Sequence, residues 1–227
     1  MFNNKKILAF IPARAGSQRI KNKNLRLLNG IPLFAYSVNV AKQSKYIDDI
    51  IVSTDSTKIQ KCAHSLGCIL NDLRPHELSG SHARIIDSVL YELKHNNLQY
   101  DVLVLLQPTF PFRTAQMLDN AIETYFEHGE KSLISITPTD VNPIFCRTID
   151  NGVLKKVIDA TSDIRSQDFK SYYKIVGNVY INKIKDLKAE TVFNENEIPF
   201  IICGDSCIDI DYEKDLLQAR RRMKCQS

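Results

Sequence analysis

Lys6-Ile7-Leu8-Ala9-Phe10-Ile11-Pro12-Ala13-Arg14-Ala15-Gly16-Ser17-Gln18-Arg19-Ile20-Lys21-Asn22-Lys23-Asn24-Leu25 decides how this chain reads. The apolar run Lys6–Pro12 predicts a buried strand. It opens into a loop with one glycine, several cations and amides, and no acid. A buried strand delivers such a loop to the carboxyl edge of a sheet, where α/β proteins bind ligands. Gly16 permits close backbone approach, and successive N–H groups can form an anion nest. Arg14, Arg19, Lys21 and Lys23 add positive charge. The pattern reads as a phosphate-binding loop for a nucleoside triphosphate; a basic surface loop after an edge strand is the alternative.

The rest of the chain repeats the same rhythm. Helical spacing covers Ile31–Gln43, Thr57–Leu66 with Gly67 as C-cap, Ala83–His95 and Thr114–His128. Apolar strands cover Asp49–Ser53, Cys68–Leu70, Val102–Leu106 and Ser132–Thr137. Continuously apolar strands separated by helices predict a mostly parallel sheet covered on both faces: a three-layer, Rossmann-like α/β fold. Right-handed crossovers then gather Arg14, Ser17, Asp55 and Gln107 at one edge.

The rhythm changes near Pro138. Pro143–Ile149 and Val153–Ile158 flank Asp150-Asn151-Gly152 and predict a hairpin. Ala160–Lys174 is polar and irregular. Strands follow at Ile175–Ile181, Ile198–Cys203 and Cys207–Ile210, then a helix at Asp211–Met223. Residues 139–174 therefore read as an arm inserted within a single domain of 227 residues.

Composition excludes several classes. Hydrophobic residues at 44% and charged residues at 25% are ordinary for a globular protein. A net charge of +4 gives no argument for nucleic acid. No run is long enough to span a bilayer, and Lys5-Lys6 leads straight into a strand without a signal-peptide core. Six cysteines without a CxxC pair read as free thiols in a reducing cytoplasm.

Cys207-Ile208-Asp209-Ile210-Asp211 places two carboxylates two residues apart, on one face if the segment is extended. Mg²⁺ suits such a pair, because it takes carboxylates together with phosphate oxygens. A strand end with two solvated acids, Asp211 capping the next helix, reads equally well.

Several ordered motifs together resemble the acylneuraminate cytidylyltransferases, or CMP-sialic acid synthetases, over nearly the whole chain. They are Ile11-Pro12-Ala13-Arg14 through Lys23-Asn24, Ile51-Val52-Ser53-Thr54-Asp55, and Leu73-Arg74-Pro75 with Glu77-Leu78. Leu105-Leu106-Gln107-Pro108-Thr109-Phe110-Pro111-Phe112-Arg113, Arg165-Ser166-Gln167-Asp168 and Ile208-Asp209-Ile210-Asp211 complete the set. The resemblance implies a homodimer that converts CTP and a nonulosonic acid into a CMP-sugar and pyrophosphate with Mg²⁺. It implies that Arg14, Ser17, Lys23 and Asn24 hold the phosphates and ribose region, and that Arg74 contacts the nucleotide. Gln107 would touch the sugar. Arg165 and Gln167, on the arm, would reach the sugar acid in the partner's site. Asp209 and Asp211 would hold the metal. Arg14, Lys23 and Asp211 are the expected catalytic groups, with Asp211 or water on the metal as the base.

The departures sit on the acceptor side. Phe110 and Phe112 replace a serine and a leucine, Ser81 an aspartate, and Phe145 a lysine found in some members. Val176-Gly177-Asn178 stands for Asn-Gly-Ala. Related acceptors such as legionaminic or pseudaminic acid therefore stay open. A 3-deoxy-manno-octulosonate cytidylyltransferase would carry Pro-Gly-Lys-Pro where this chain has Lys21-Asn22-Lys23-Asn24. A non-catalytic nucleotide- or sugar-binding module is a further alternative. A dinucleotide oxidoreductase lacks its glycine fingerprint here.

Overall fold

The computed structural model describes residues 2–97, 99–139, 141–159 and 171–226. In chain order the elements begin with β1 (Ile7–Pro12), β2 (Leu27–Leu28), β3 (Ile31–Pro32), α1 (Leu33–Gln43), β4 (Asp49–Ser53) and α2 (Thr57–Ser65). Next come α3 (Ile85–His95), β5 (Val102–Leu105), α4 (Ala115–Glu127) and β6 (Leu133–Pro138). The chain closes with β7 (Arg147–Asp150), β8 (Val153–Lys156), β9 (Tyr173–Lys183), β10 (Ile198–Ile201) and α5 (Glu213–Gln226).

Six strands form the main sheet in the order β10-β6-β9-β5-β1-β4. β1 runs parallel to both neighbours, β10 parallel to β6, and only β9 is antiparallel. The expected mostly parallel sheet is therefore present. Alternation along β1 explains its two-sided burial. Ile7, Ala9 and Ile11 join a core with Phe34 and Val38 of α1 and Leu118, Ile122 and Tyr125 of α4. Leu8 and Phe10 join the opposite core with Ile86 and Val89 of α3. Each buried leucine, isoleucine or phenylalanine of β1 contributes about 1.5–3 kcal/mol of burial, so the strand that carries the basic loop is firmly held. Among the described residues, no helix is long and apolar enough to cross a membrane.

Helix ends follow the sequence signals. Ser56 Oγ accepts from Ile59 N at the start of α2, and Gly67 closes it at φ +83°. Helix α1 starts two residues later than its periodicity suggests, because Ile31-Pro32 pairs with Leu27-Leu28. The predicted hairpin is β7–β8, with Asn151 and Gly152 both at positive φ. It lies outside the main sheet.

Two strand expectations need correction. Cys68–Leu70 contributes a single bridge, Ile69 to Ile51. Cys207–Ile210 is no strand at all: Gly204–Cys207 forms a 3-10 turn, with Gly204 at φ +67°. That turn carries the chain across the sheet's edge instead of along it. Ile210 N then donates to Thr109 O at 2.9 Å.

Candidate active site

β1 ends at Pro12, and its extension is stitched to β4 by Ala13 N donating to Ser53 O at 2.9 Å. The loop beyond is shaped by its own side chains. Asp55, just past β4, accepts from Ala15 N at 2.7 Å. Asn24 Nδ2 donates to Arg14 O at 2.8 Å. Asn22 takes left-handed φ +53° to start the short turn Lys23–Leu25, a conformation that asparagine tolerates.

These bonds occupy part of the loop's backbone. The amides of Ala13, Ala15 and Ser17 already donate within the protein, so a backbone nest would draw on the other amides of the loop, beside its cationic side chains. Apart from its chain neighbours, no protein atom lies within 4 Å of where a Cβ at Gly16 would sit, and its φ is not left-handed. The loop's own fold does not require that glycine.

A cavity of about 460 Å³ opens over the carboxyl ends of β1 and β5. Arg14, Ser17, Lys23, Asn24, Arg74, Gln107 and Asp211 all line it. The sequence-predicted nucleotide residues are thus brought together with Gln107. Arg165 and Gln167 lie outside the described residues.

Charge is arranged in pairs across this cavity. Lys23 Nζ donates to Asp211 Oδ1 at 2.9 Å and to Ile210 O at 3.0 Å. Arg19 Nη1 donates to Asp211 Oδ2 at 2.7 Å and its guanidinium stacks over Tyr212. Desolvation works to raise the Asp211 carboxyl, but Lys23 and Arg19 win and hold it below the ordinary carboxylate range. Asp209 behaves oppositely. As a residue it is exposed, yet desolvation by neighbouring protein and then the like charge of Asp211 push its carboxyl up, against a hydrogen bond from Thr109. The helix-cap alternative for Asp211 fails: Asp215 caps α5 instead, accepting from Asp211 N and Tyr212 N at 3.0 and 2.7 Å.

Arg113 is a residue that sequence reasoning quoted without assigning a role. It is 3% exposed and donates to Asn178 Oδ1 at 2.7 Å, Ser37 Oγ at 2.9 Å and Gln107 O at 3.2 Å, and also to Asn178 O. Burial pulls its guanidinium down to about 9. It fixes the backbone beneath Gln107 from below. Asn178 and Gly177 are presented there by an irregularity in the β6–β9 ladder, where Ser135 bonds Val176 and Val179.

Two departures prove to be core substitutions. Phe110 packs with Val176 and Ile202, and Phe112 against the cluster of Ile20, Leu28 and Leu33. Neither lines the cavity. Ser81 does line it, while Phe145 is exposed on the chain leading into β7.

A family described as cytidylyltransferase matches residues 8–223. The chain belongs to the cytidylyltransferases. This cytidylyltransferase is 34% identical over 226 residues to a CMP-N,N'-diacetyllegionaminic acid synthase of Legionella pneumophila, covering 96% of this chain and 97% of that one. It is 31% identical to an N-acylneuraminate cytidylyltransferase of Escherichia coli, over 92% of this chain and 50% of the longer relative. In fold it matches a CMP:2-keto-3-deoxy-manno-octonic acid synthetase solved with CTP, at TM-score 0.75 and 15% identity, covering 98% of this chain and all of that one. The cytidylyltransferase is thus an enzyme of the nucleotidyltransferase class on a nucleotidyltransferase fold.

Proposed function

We propose that this cytidylyltransferase joins CMP to a nonulosonic acid, releasing pyrophosphate from CTP. The observation that carries the reading is the cavity itself: Arg14 and Lys23 from the loop after β1 and Arg74 from the segment between α2 and α3 converge on it, with Gln107 and Asp211 on the same walls. The full-length relative of Legionella pneumophila is named for a substrate of this class.

Attack at an α-phosphorus leaves little covalent work for a protein, so positioning and charge neutralisation dominate. In this reading Arg14, Ser17, Lys23 and Asn24 hold the triphosphate and ribose region, and Arg74 contacts the nucleotide. Gly16 then serves the ligand, since open space above it lets a phosphate approach the backbone. Gln107 orients the sugar acid, whose anomeric hydroxyl attacks. A carboxylate held below its usual range is a weak base, so Asp211 is better suited to holding cations than to taking that proton.

Asp209 and Asp211 fit a divalent metal by the chemistry of their donor set. They are two hard carboxylates on one short segment, and a cation would offset both the desolvation that chiefly raises Asp209 and the smaller repulsion from Asp211. Mg²⁺ there would neutralise charge developing on the pyrophosphate. We further propose a homodimer in the cytoplasm, with residues 139–174 as an arm that brings Arg165 and Gln167 to the partner's sugar pocket. Large apolar side chains left exposed on the hairpin support it: Ile149, Val153 and Leu154 are each more than 60% exposed. Free thiols at Cys62, Cys68, Cys146, Cys203 and Cys207 accord with a reducing compartment.

The test is pyrophosphate release from CTP with N-acetylneuraminic, legionaminic, pseudaminic and 3-deoxy-manno-octulosonic acids. Release with one of the first three is expected. Release with none of the four, or with octulosonate alone, overturns the reading.

A further inference from the structure

Arg74 is 6% exposed, yet among the described residues no carboxylate stands within ion-pair distance of it. Its partners are two neutral hydroxyls. Nε donates to Ser79 Oγ at 3.2 Å, and Nη1 donates to Ser88 Oγ at 3.0 Å. Each hydroxyl sends its own proton away: Ser79 Oγ to Pro75 O at 3.1 Å, and Ser88 Oγ to Leu78 O at 3.5 Å. Both oxygens therefore turn lone pairs toward the guanidinium. Ser79 and Ser88 are themselves buried, at 8% and 1% exposure. Ser88 stands on α3, a packed helix, while Ser79 ends the short turn after Arg74. The fork is thus gripped from two independent directions.

A guanidinium carries five N–H donors. Nη2 and one N–H of Nη1 find no partner among the described residues, and the side chain lines the cavity. A carboxylate in contact would claim that fork in a bidentate pair and cancel its attraction for an anion. Hydroxyls fix its direction and leave its charge intact. Asp55 and Glu92 act on it only from further off, against the desolvation that lowers its proton affinity.

We propose that Ser79 and Ser88 are positioning residues that aim Arg74 at the nucleotide while leaving its charge free for the ligand. This rests on the reading of Arg74 as a nucleotide contact. The clamp acts on CTP affinity, and neither serine touches the reacting atoms.

CTP titration by calorimetry, without acceptor, tests it. Ser88→Ala is expected to weaken CTP binding about tenfold, through loss of one hydrogen bond to a charged group. Its kcat at saturating CTP and its KM for the sugar acid should stay unchanged, while its melting temperature falls modestly because a buried donor loses its acceptor. Ser88→Thr, which keeps the hydroxyl, should restore wild-type affinity. Ser88→Asp should bind CTP more weakly than Ser88→Ala, because the new carboxylate takes the fork. Should Ser88→Ala not fold, Ser79→Ala carries the same expectation through Nε. Unchanged affinity in folded Ser88→Ala or Ser79→Ala, or failure of Ser88→Thr to rescue, overturns the clamp alone. A wild-type protein that does not bind CTP overturns the nucleotide reading beneath it.

Discussion

Gln107 lies so close against Gly177 that a Cβ at position 177 would stand 2.5 Å from Gln107 Oε1 and 2.9 Å from Cδ. No real Cβ occupies such a position, so any other residue at 177 must displace the amide. Gly177 has no left-handed φ; alanine there carries no backbone strain. The clash falls on a side chain free to swing away. Gly177→Ala should therefore fold normally and bind CTP normally. Its kcat/KM for the sugar acid should drop, by up to about 10²-fold as expected for a displaced positioning group. Unaltered acceptor kinetics would remove Gln107 from the sugar site.

Lys23→Ala should lower turnover by roughly 10²–10³, the scale for one preorganised electrostatic contact. Only a small change in melting temperature is expected, because its bond to Asp211 is a partly exposed ion pair. Steady-state kinetics beside a thermal melt would check both. A folded variant with near-normal turnover would mean that the loop is a basic surface feature.

Chelation should abolish activity, and Mg²⁺ should restore it. Asp209→Asn and Asp211→Asn should each raise the Mg²⁺ concentration needed for half-maximal rate. Asp211→Asn should also weaken the hold on Arg19 and Lys23, so its melting curve becomes less salt-dependent. Full activity in chelator would exclude a metal mechanism.

Glu92 is fully buried beneath Arg74's segment and accepts from Asn71 Nδ2 at 3.0 Å and Asn96 Nδ2 at 2.8 Å. Desolvation outweighs these bonds and raises its carboxyl above the usual value. A raised carboxyl means that the folded state binds more protons than the unfolded one between the two pKa values. Stability from this group is present below the unfolded value of about 4.5 and is lost as pH rises through the folded one. Glu92→Gln keeps an acceptor for both asparagines and should not show that loss. Melting temperatures from pH 4 upward should converge at the acid end and favour the glutamine variant at neutral pH. Parallel profiles would contradict the sign.

Mixed refolding tests the arm. Inactive Lys23→Ala and Arg165→Ala chains, refolded together, should recover part of the lost activity if each site draws on two chains. One site of a heterodimer then carries both defects and the other neither. Confirmed heterodimers without recovery would show that the arm serves its own subunit.

Much of this was legible in the residues. β1, β4, β5 and β6 announce themselves as short apolar, β-branched runs, and their order places the basic loop at the cavity. What escaped depends on long-range partners. Cys207–Ile210 has the alternation of a strand, but Gly204 turns it away from any ladder partner. Phe110 and Phe112 read as an altered acceptor side, whereas Phe110 fills a core and Phe112 packs against one. Arg113 looks like a surface cation in one dimension, and nothing in its neighbours forecasts Asn178 as its partner. Ser79 and Ser88 gain meaning only once α3 is laid beside Arg74.

The bond from Lys23 to Asp211 joins positions 188 residues apart. The nucleotide loop follows the first strand of the sheet, yet its lysine meets its acid only once the chain has passed β10. A nascent chain that has already folded β1, β4 and β5 holds an unfinished pocket, with Lys23 and Arg19 lacking their counter-charge. Competence for turnover therefore waits for the segment carrying Ile210 and Asp211, and a chain that stops between β10 and that segment has every strand of the main sheet but an unfinished site.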